Sequence, residues 1–315
     1  GLKGGRPPSP RTMQDYNSNL DRLTDEFGQY PIDDLPEVKI MDYLDDIATD
    51  HPVMANRLFS TLSVVCTWSA KQKRYNIRKN PFAGMDKPGG KEESKNRVLD
   101  FRPDHKKFKD KGEIKRFWQW LDTINKAHAA AFKLVLMTGL RPGEALSLEW
   151  QDIDDEEIIL PAYKTKNKKD IHVIPLTEKL KALLDDLKAI AGDSGYLFKA
   201  RQFKTGEKVE DAPVKPATLS RLLSKALAPG GALHGMDKFT THDLRRTMAT
   251  HARALGCSKA DIGAVLNHSD ESITDIYARA DDMAAKEKVL TAWQRELSRI
   301  LAGEKKTAKV VEMKR

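Results

Sequence analysis

Residues 242–279 read HDLRRTMATHARALGCSKADIGAVLNHSDESITDIYAR. Their periodicity and breaks predict short helices over 243–254, 258–267 and 270–280. His242 and Arg245 stand one helical turn apart, so they can face one point, and Arg246 then points elsewhere. His268 closes the second helix, and Ser269 or Asp270 caps the third. Tyr277 falls about two turns into that third helix, nine positions after His268, with Ala278 and Arg279 behind it. Taken singly, each side chain has an ordinary reading: a surface histidine at a helix start, a half-buried packing tyrosine.

Working outward, TGLRPGEALSLEW (138–150) has Gly139 ending one helix and Pro142 able to start another, with Arg141 on the turn between. Free amides and a guanidinium at such a turn make an anion site, although an arginine at a helix start usually faces solvent. Glu144, one turn on, is expected to steady the fold. Residues 146–176 contain LSLEWQDIDDEEIILP and YKTKNKKDIHVIPL. Their polar–apolar alternation predicts a small antiparallel sheet with its turn at Asn167–Asp170. Lys164, Lys166, Lys168 and Lys169 crowd that turn. By itself this is a solvated hairpin tip. Lys164 and Lys166, two apart, would share one face of a strand.

Further helices are expected at EIKRFWQWLDTI (113–124), AHAAAFKLVLMTG (127–139), 177–191, 217–227 and 284–301, with a loop over 199–215. The expected class is therefore mostly α with a small antiparallel β-sheet (α+β). In the final helix, Val289, Leu290, Trp293, Leu297, Ile300 and Leu301 can pack on their own domain.

The first part of the chain is helical. RTMQDYNSNLDRLTDEFG (11–28) is one helix ended by Gly28, and LPEVKIMDYLDDIATD (35–50) puts Ile40, Tyr43, Leu44 and Ile47 on one face. PVMANRLFSTLSVVCTWSAKQKRY (52–75) is a longer helix begun by Pro52, with Arg57, Lys71, Lys73 and Arg74 on its polar side. That side is a solvated face or a surface laid on phosphates, and spacing leaves both open. The charged, Pro-Gly-Gly-bearing stretch 85–112 reads as a linker, partly ordered at most. The expected organisation is a helical domain over 1–90, a linker over 91–110 and a second domain over 111–315. The opening GLKGGRPPSP has no apolar core and is not a signal peptide. It reads as a flexible basic lead-in or the cut end of a longer protein.

The 315-residue chain is 40% hydrophobic, which suits folding, and carries a net charge of +8 with a pI of about 9.2. A basic surplus points to a polyanionic partner: nucleic acid, a membrane surface or an acidic protein. Cys66 and Cys257 match no zinc spacing and suit a reducing, intracellular setting. No apolar run approaches the ~18 residues that spanning a membrane requires.

The order of elements carries a resemblance. An arginine in TGLRPGEAL, a lysine in a β-hairpin, His242-Asp243-Leu244-Arg245-Arg246 as H-x-L-R-R, the histidine of LNH and a tyrosine nine residues on resemble the tyrosine recombinases, the phage-integrase family. ANRLFSTLSVVCTWSAKQKRYNIRKNPFAG (55–84) is similar to their helical core-binding domain, so the resemblance covers about residues 12–300. The hairpin from Lys166 to Pro175 departs from the family pattern by one extra residue, which leaves Lys164 and Lys166 both open as the active lysine.

The resemblance implies a site-specific DNA recombinase of integrase or excisionase type. Tyr277 would be the nucleophile, forming a 3′-phosphotyrosine that conserves the energy of the broken phosphodiester. Arg141 and Arg245 would clamp the non-bridging oxygens, and His242 and His268 would donate hydrogen bonds to the phosphate. His242 would also help accept the tyrosine proton, and Lys166 would protonate the leaving 5′-oxygen. No cofactor and no metal are required. The implied partners are duplex DNA at a core site, three further copies in a homotetramer and DNA-bending accessory proteins, with no membrane. The implied location is the prokaryotic cytoplasm, at the nucleoid. In this family a C-terminal segment often docks on a neighbouring protomer, so packing of the last helix in cis or in trans stays open. The alternatives are a type IB-like topoisomerase, a catalytically inactive DNA-binding regulator, and a metal site from His234, His242 and His251, which lacks suitably spaced acidic or cysteine ligands.

Overall fold

Ser9 accepts a hydrogen bond from the Thr12 backbone N–H at 3.2 Å and so starts α1 (Pro10–Phe27). The next two helices are α2 (Glu37–Asp50) and α3 (Pro52–Lys71). Pro10 and Pro52 occupy first-turn positions, where the missing N–H costs no helical bond. The computed structural model describes residues 8–72, 75–92, 97–101, 111–165, 170–200, 211–268 and 279–303. The chain divides into two compact units, Gly1–Lys95 and Asn96–Arg315.

The three helices of the first unit close over Leu23, Phe27, Ile40, Leu44, Leu58 and Phe59, with Phe27 edge-on to Tyr43 at 5.4 Å. Each such side chain contributes about 1.5–3 kcal/mol on full burial. The outward side of α3 keeps Arg57, Val64, Trp68 and Lys71 exposed.

The stretch expected to be a linker is instead divided between the units wherever it is described. The buried Asn56 side chain accepts from the Gly89 N–H at 2.9 Å and donates to the Gly90 carbonyl and to Glu92, both at 3.1 Å. It thereby binds 89–92 to α3. Gly89 is required there, because a Cβ would lie 2.1 Å from the Pro52 carbonyl oxygen. On the other side, Leu99 is fully buried and Asp100 caps the next helix. The Asp100 carboxylate accepts from the N–H groups of Lys111, Glu113 and Ile114 at 2.7, 2.9 and 3.0 Å, and Glu113 accepts from the Asp100 N–H at 2.7 Å. A charged segment is ordered here because its side chains satisfy backbone groups, a use that composition does not reveal.

The second unit continues with α4 (Glu113–Leu121), α5 (Lys126–Thr138), α6 (Pro142–Leu146), β1 (Glu157–Leu160), β2 (His172–Pro175), α7 (Glu178–Ala191), α8 (Pro216–Leu227), α9 (Thr241–Ala254), α10 (Lys259–Val265) and α11 (Arg279–Ala302). The fold is mostly α with a small antiparallel sheet. β1 pairs with β2 from Glu157↔Pro175 to Leu160↔His172. The sheet is shorter than the alternation over 146–176 suggests. Residues 150–152 form a 3-10 turn in which Asp152 accepts from the Glu149 N–H at 2.8 Å, and a second 3-10 turn covers Ala162–Lys164. Lys164 is therefore not on a strand. Most of the expected turn, 167–169, lies outside the described residues.

α5 is buried along nearly its whole length, and α4, α7, α9 and α11 pack around it. In α11, Val289, Leu290, Trp293, Leu297 and Ile300 are buried, and the Trp293 indole donates to the Leu136 carbonyl at 2.7 Å. The described part of the last helix from Val289 to Ile300 therefore packs in cis. Among the described residues, no helix is long and apolar enough to cross a membrane.

Candidate active site

Thr240 caps α9, with the Asp243 carboxylate accepting from both its N–H and its hydroxyl at 2.8 Å. This fixes the first turn and sets His242 at the exposed rim, with Arg245 inward one turn later. Asp243 also takes Arg246 at 2.7 Å, so the second arginine of the pair is turned to its own helix.

Arg245 is 3% exposed. Its Nη1 donates to the Gly139 carbonyl at 2.6 Å, and its Nη2 donates to the Leu266 carbonyl at 2.7 Å and to His268 Nε2 at 3.1 Å. A guanidinium has no acceptor, so in this contact the His268 ring offers the Nε2 lone pair and carries its hydrogen on Nδ1. Burial, with the neighbouring Arg141 charge adding to it, pulls the Arg245 guanidinium down to about 10, and Glu144 acts in the opposite sense. Arg245 remains charged at neutral pH.

Gly139 and Asn267 shape this centre. Gly139 ends α5 at φ +72°, and a Cβ there would lie 2.8 Å from Leu266 Cδ2. Asn267, at φ +48°, ends the α10 segment and delivers His268.

Arg141 precedes α6, and its Nη1 donates to Glu144 Oε1 at 2.8 Å. Glu144 also accepts from the Arg141 backbone N–H at 3.1 Å. α6 is a single five-residue turn, and Glu144 takes the N–H of Arg141, the residue that precedes it, so the Arg141 guanidinium is held at the start of the turn. Glu144 is 3% exposed and supplies the counter-charge that lets two guanidinium groups sit together, a role larger than steadying the fold. Partial enclosure, followed by the charges of Arg245, Arg246 and Arg141, holds the His242 imidazolium below its ordinary range. His242 is thereby kept neutral and able to take a proton.

Arg141, the His242–Arg245 pair and His268, from three separate stretches of the sequence, thus converge in the second unit. Lys166 and Tyr277 lie outside the described residues. Lys164 has a different place from the one expected. Its Nζ is 2.5 Å from Asp152 Oδ2 and 2.8 Å from Glu149 Oε1, with the side chain 6% exposed. Burial alone would lower its ammonium, but the hydrogen bonds and charges of Asp152 and Glu149 outweigh that and raise it. His172, which sequence reasoning did not single out, is 2% exposed and donates from Nε2 to the Val265 carbonyl at 3.0 Å. Burial, then the charge of Lys286, pushes it down to about 4. A histidine in an apolar strand gives no sequence signal of such a partner.

Among the described residues, no group of three or more His, Cys, Asp or Glu side chains could hold a metal ion. His251, one member of the imagined histidine set, instead bonds the Leu99 carbonyl at 3.0 Å and packs on Trp293 at 5.2 Å.

Two helix starts and two helix ends that converge on a pair of arginines define a class. The phage integrase family profile matches residues 107–283, more than half of the chain, and the chain belongs to that family, the tyrosine recombinases. Tyrosine recombinase XerA of Pyrococcus furiosus is 32% identical over 157 residues, covering 50% of this chain and 51% of the relative. Prophage integrase IntZ of Escherichia coli is 27% identical over 231 residues, covering 72% and 52%. The chain thus spans about half the length of these curated relatives. Among solved structures, a lambda integrase dimer bound to a COC′ core site superposes with a TM-score of 0.64 at 19% identity, covering 86% of this chain and 93% of that one. This last likeness is one of fold.

Proposed function

We propose that the chain is a site-specific DNA strand transferase that cleaves and rejoins duplex DNA through a 3′-phosphotyrosine at Tyr277, for integration or excision of a mobile element. The observation that carries this reading is the buried Arg245, held by two backbone carbonyls beside Arg141, with His242 and His268 at the same centre. Such fixed donors stabilise charge that develops on a phosphoryl group without reorganising during the reaction.

In the forward step the Tyr277 hydroxyl attacks phosphorus and gives up its proton, and His242, held neutral beside the two arginines, accepts it. The bond to the 5′-oxygen breaks, its electron pair stays on that oxygen, and Lys166 supplies the proton. Arg141 and Arg245 hold the non-bridging oxygens throughout. Rejoining is the reverse, with a 5′-hydroxyl from the same or another strand as nucleophile.

Charge in the first unit supports a polyanionic substrate. Residues 51–85 carry six lysines and arginines and no acidic residue, whereas residues 8–50 carry eleven acidic and three basic ones. The exposed side of α3 is then the face for phosphates, and the helical unit is the core-DNA-binding domain. Affinity of this kind comes mainly from phosphate contacts and falls with salt. The working form is a homotetramer on DNA with DNA-bending accessory proteins, and the substrate puts the protein at a prokaryotic nucleoid. A solved relative of like fold is a lambda integrase tetramer bound to a Holliday junction.

The test is to select bound duplexes from random sequence, then mix the protein with the labelled duplex and look for a covalent band on a denaturing gel. Tyr277→Phe should bind nearly as well as the parent and give no band. A band that survives in this variant would remove Tyr277 from the role.

A further inference from the structure

The connection between β1 and β2 contains Lys166, and a buried side chain fastens each of its two arms. On the incoming arm, the Lys164 ammonium lies between Asp152 and Glu149 at 2.5 and 2.8 Å. Both carboxylates belong to the segment that directly follows α6, the turn that Arg141 precedes. On the outgoing arm, His172 donates to the Val265 carbonyl at 3.0 Å. Val265 ends α10, and the carbonyl of the next residue, Leu266, holds Arg245. The arms also meet: the Thr165 hydroxyl lies 2.8 Å from the Ala162 carbonyl and 3.4 Å from that of Asp170.

These contacts tie one arm to the segment that follows α6, behind Arg141, and the other to the end of α10, whose Leu266 carbonyl holds Arg245. An eleven-residue connection, 161–171, is too long for turn geometry to fix one side chain within it. A general acid must nevertheless come within hydrogen-bond reach of the leaving atom, and a shift of about 1 Å costs on the order of a hundredfold in rate. We propose that Lys164 and His172 are positioning residues that register the loop carrying Lys166 against Arg141 and Arg245, and so set the reach of the general acid to the 5′-oxygen. This rests on the reading of Lys166 as that acid.

A substrate whose scissile 5′-bridging oxygen is sulfur separates positioning from folding, since a thiolate leaves without protonation. Lys164→Met and His172→Leu should bind the selected duplex about as well as the parent. They should cleave the oxygen substrate at least about tenfold more slowly at saturating protein, and return to near-parental rates on the sulfur substrate. Lys164→Arg and His172→Gln keep a donor at the same place and should restore oxygen cleavage. Should Lys164→Met fail to fold, Asp152→Asn weakens the same anchor more gently and should show the same substrate dependence. Lys166→Ala is the control. If it is rescued by sulfur while the anchor variants are slow on both substrates, or unimpaired on oxygen, the inference falls and the acid assignment stands. If Lys166→Ala is not rescued, Lys166 is not the acid and the inference falls with it.

Discussion

Arg245 donates to the carbonyl of Gly139 at 2.6 Å, joining the middle of α9's first half to the left-handed end of α5. The contact exists because Gly139 both reverses the chain and lets Leu266 approach, and no other residue does both without strain. Gly139→Ala should therefore destabilise the protein by more than about 1 kcal/mol, and it should lower cleavage further than the stability loss explains. Urea unfolding and the rate of covalent-complex formation measure the two effects. Unchanged cleavage in a folded Gly139→Ala protein would show that Arg245 does not depend on this carbonyl.

Arg245→Ala should slow cleavage by about 2–4 kcal/mol of barrier, as expected on removing one transition-state donor. It should also destabilise the fold by about 1–3 kcal/mol, because the Gly139 and Leu266 carbonyls lose a charged donor. Arg245→Lys should rescue poorly, since one ammonium cannot span both carbonyls and a phosphate. Single-turnover cleavage together with urea unfolding tests this, and a fully stable Arg245→Ala variant would contradict the bonding described.

Stability should depend on pH through His172. Its folded value is about 4, below the ordinary value of about 6.5, so the unfolded chain binds its proton first as pH falls. The neutral buried ring thus contributes fully above about pH 6.5, and its contribution drains away between about 6.5 and 4. The loss is about 2–4 kcal/mol over that window. Urea unfolding at pH 7.5, 5.5 and 4.5 should show a shallower slope in His172→Gln than in the parent. Equal slopes would mean that His172 titrates normally in the folded state.

EDTA should leave covalent-complex formation intact, because two guanidinium groups and the histidines beside them are placed to meet the negative charge on phosphorus. The measurement is the denaturing-gel assay after exhaustive chelation. Loss of the adduct, restored by one divalent ion, would assign part of that charge to a metal.

Sequence alone was enough for most of the described helices, for several of their capping residues, and for marking Arg141, His242, Arg245 and His268 as candidates. Local chemistry suffices for these: a proline opens α3, a glycine ends α5, and His242 and Arg245 share a helix face through the 3.6-residue turn alone. It also carried the family, because five separated elements agree in order. Tertiary structure decided the partners. Lys164 and Lys166 look alike in the sequence, yet Lys164 is committed to Asp152 and Glu149, which reach it from a neighbouring turn. Glu144 was expected to steady the fold, and it does so as a buried counter-charge beside two arginines. His172 looked like a strand residue and bonds a carbonyl ninety-three positions away. Charged residues at 97–100 looked like a linker, and Asp100 caps a helix from within the core. In each case the deciding quantity is a buried polar contact, in most of them between different elements of the fold. Such contacts leave no period and no composition behind, because a buried polar group needs a partner wherever in the chain that partner comes from.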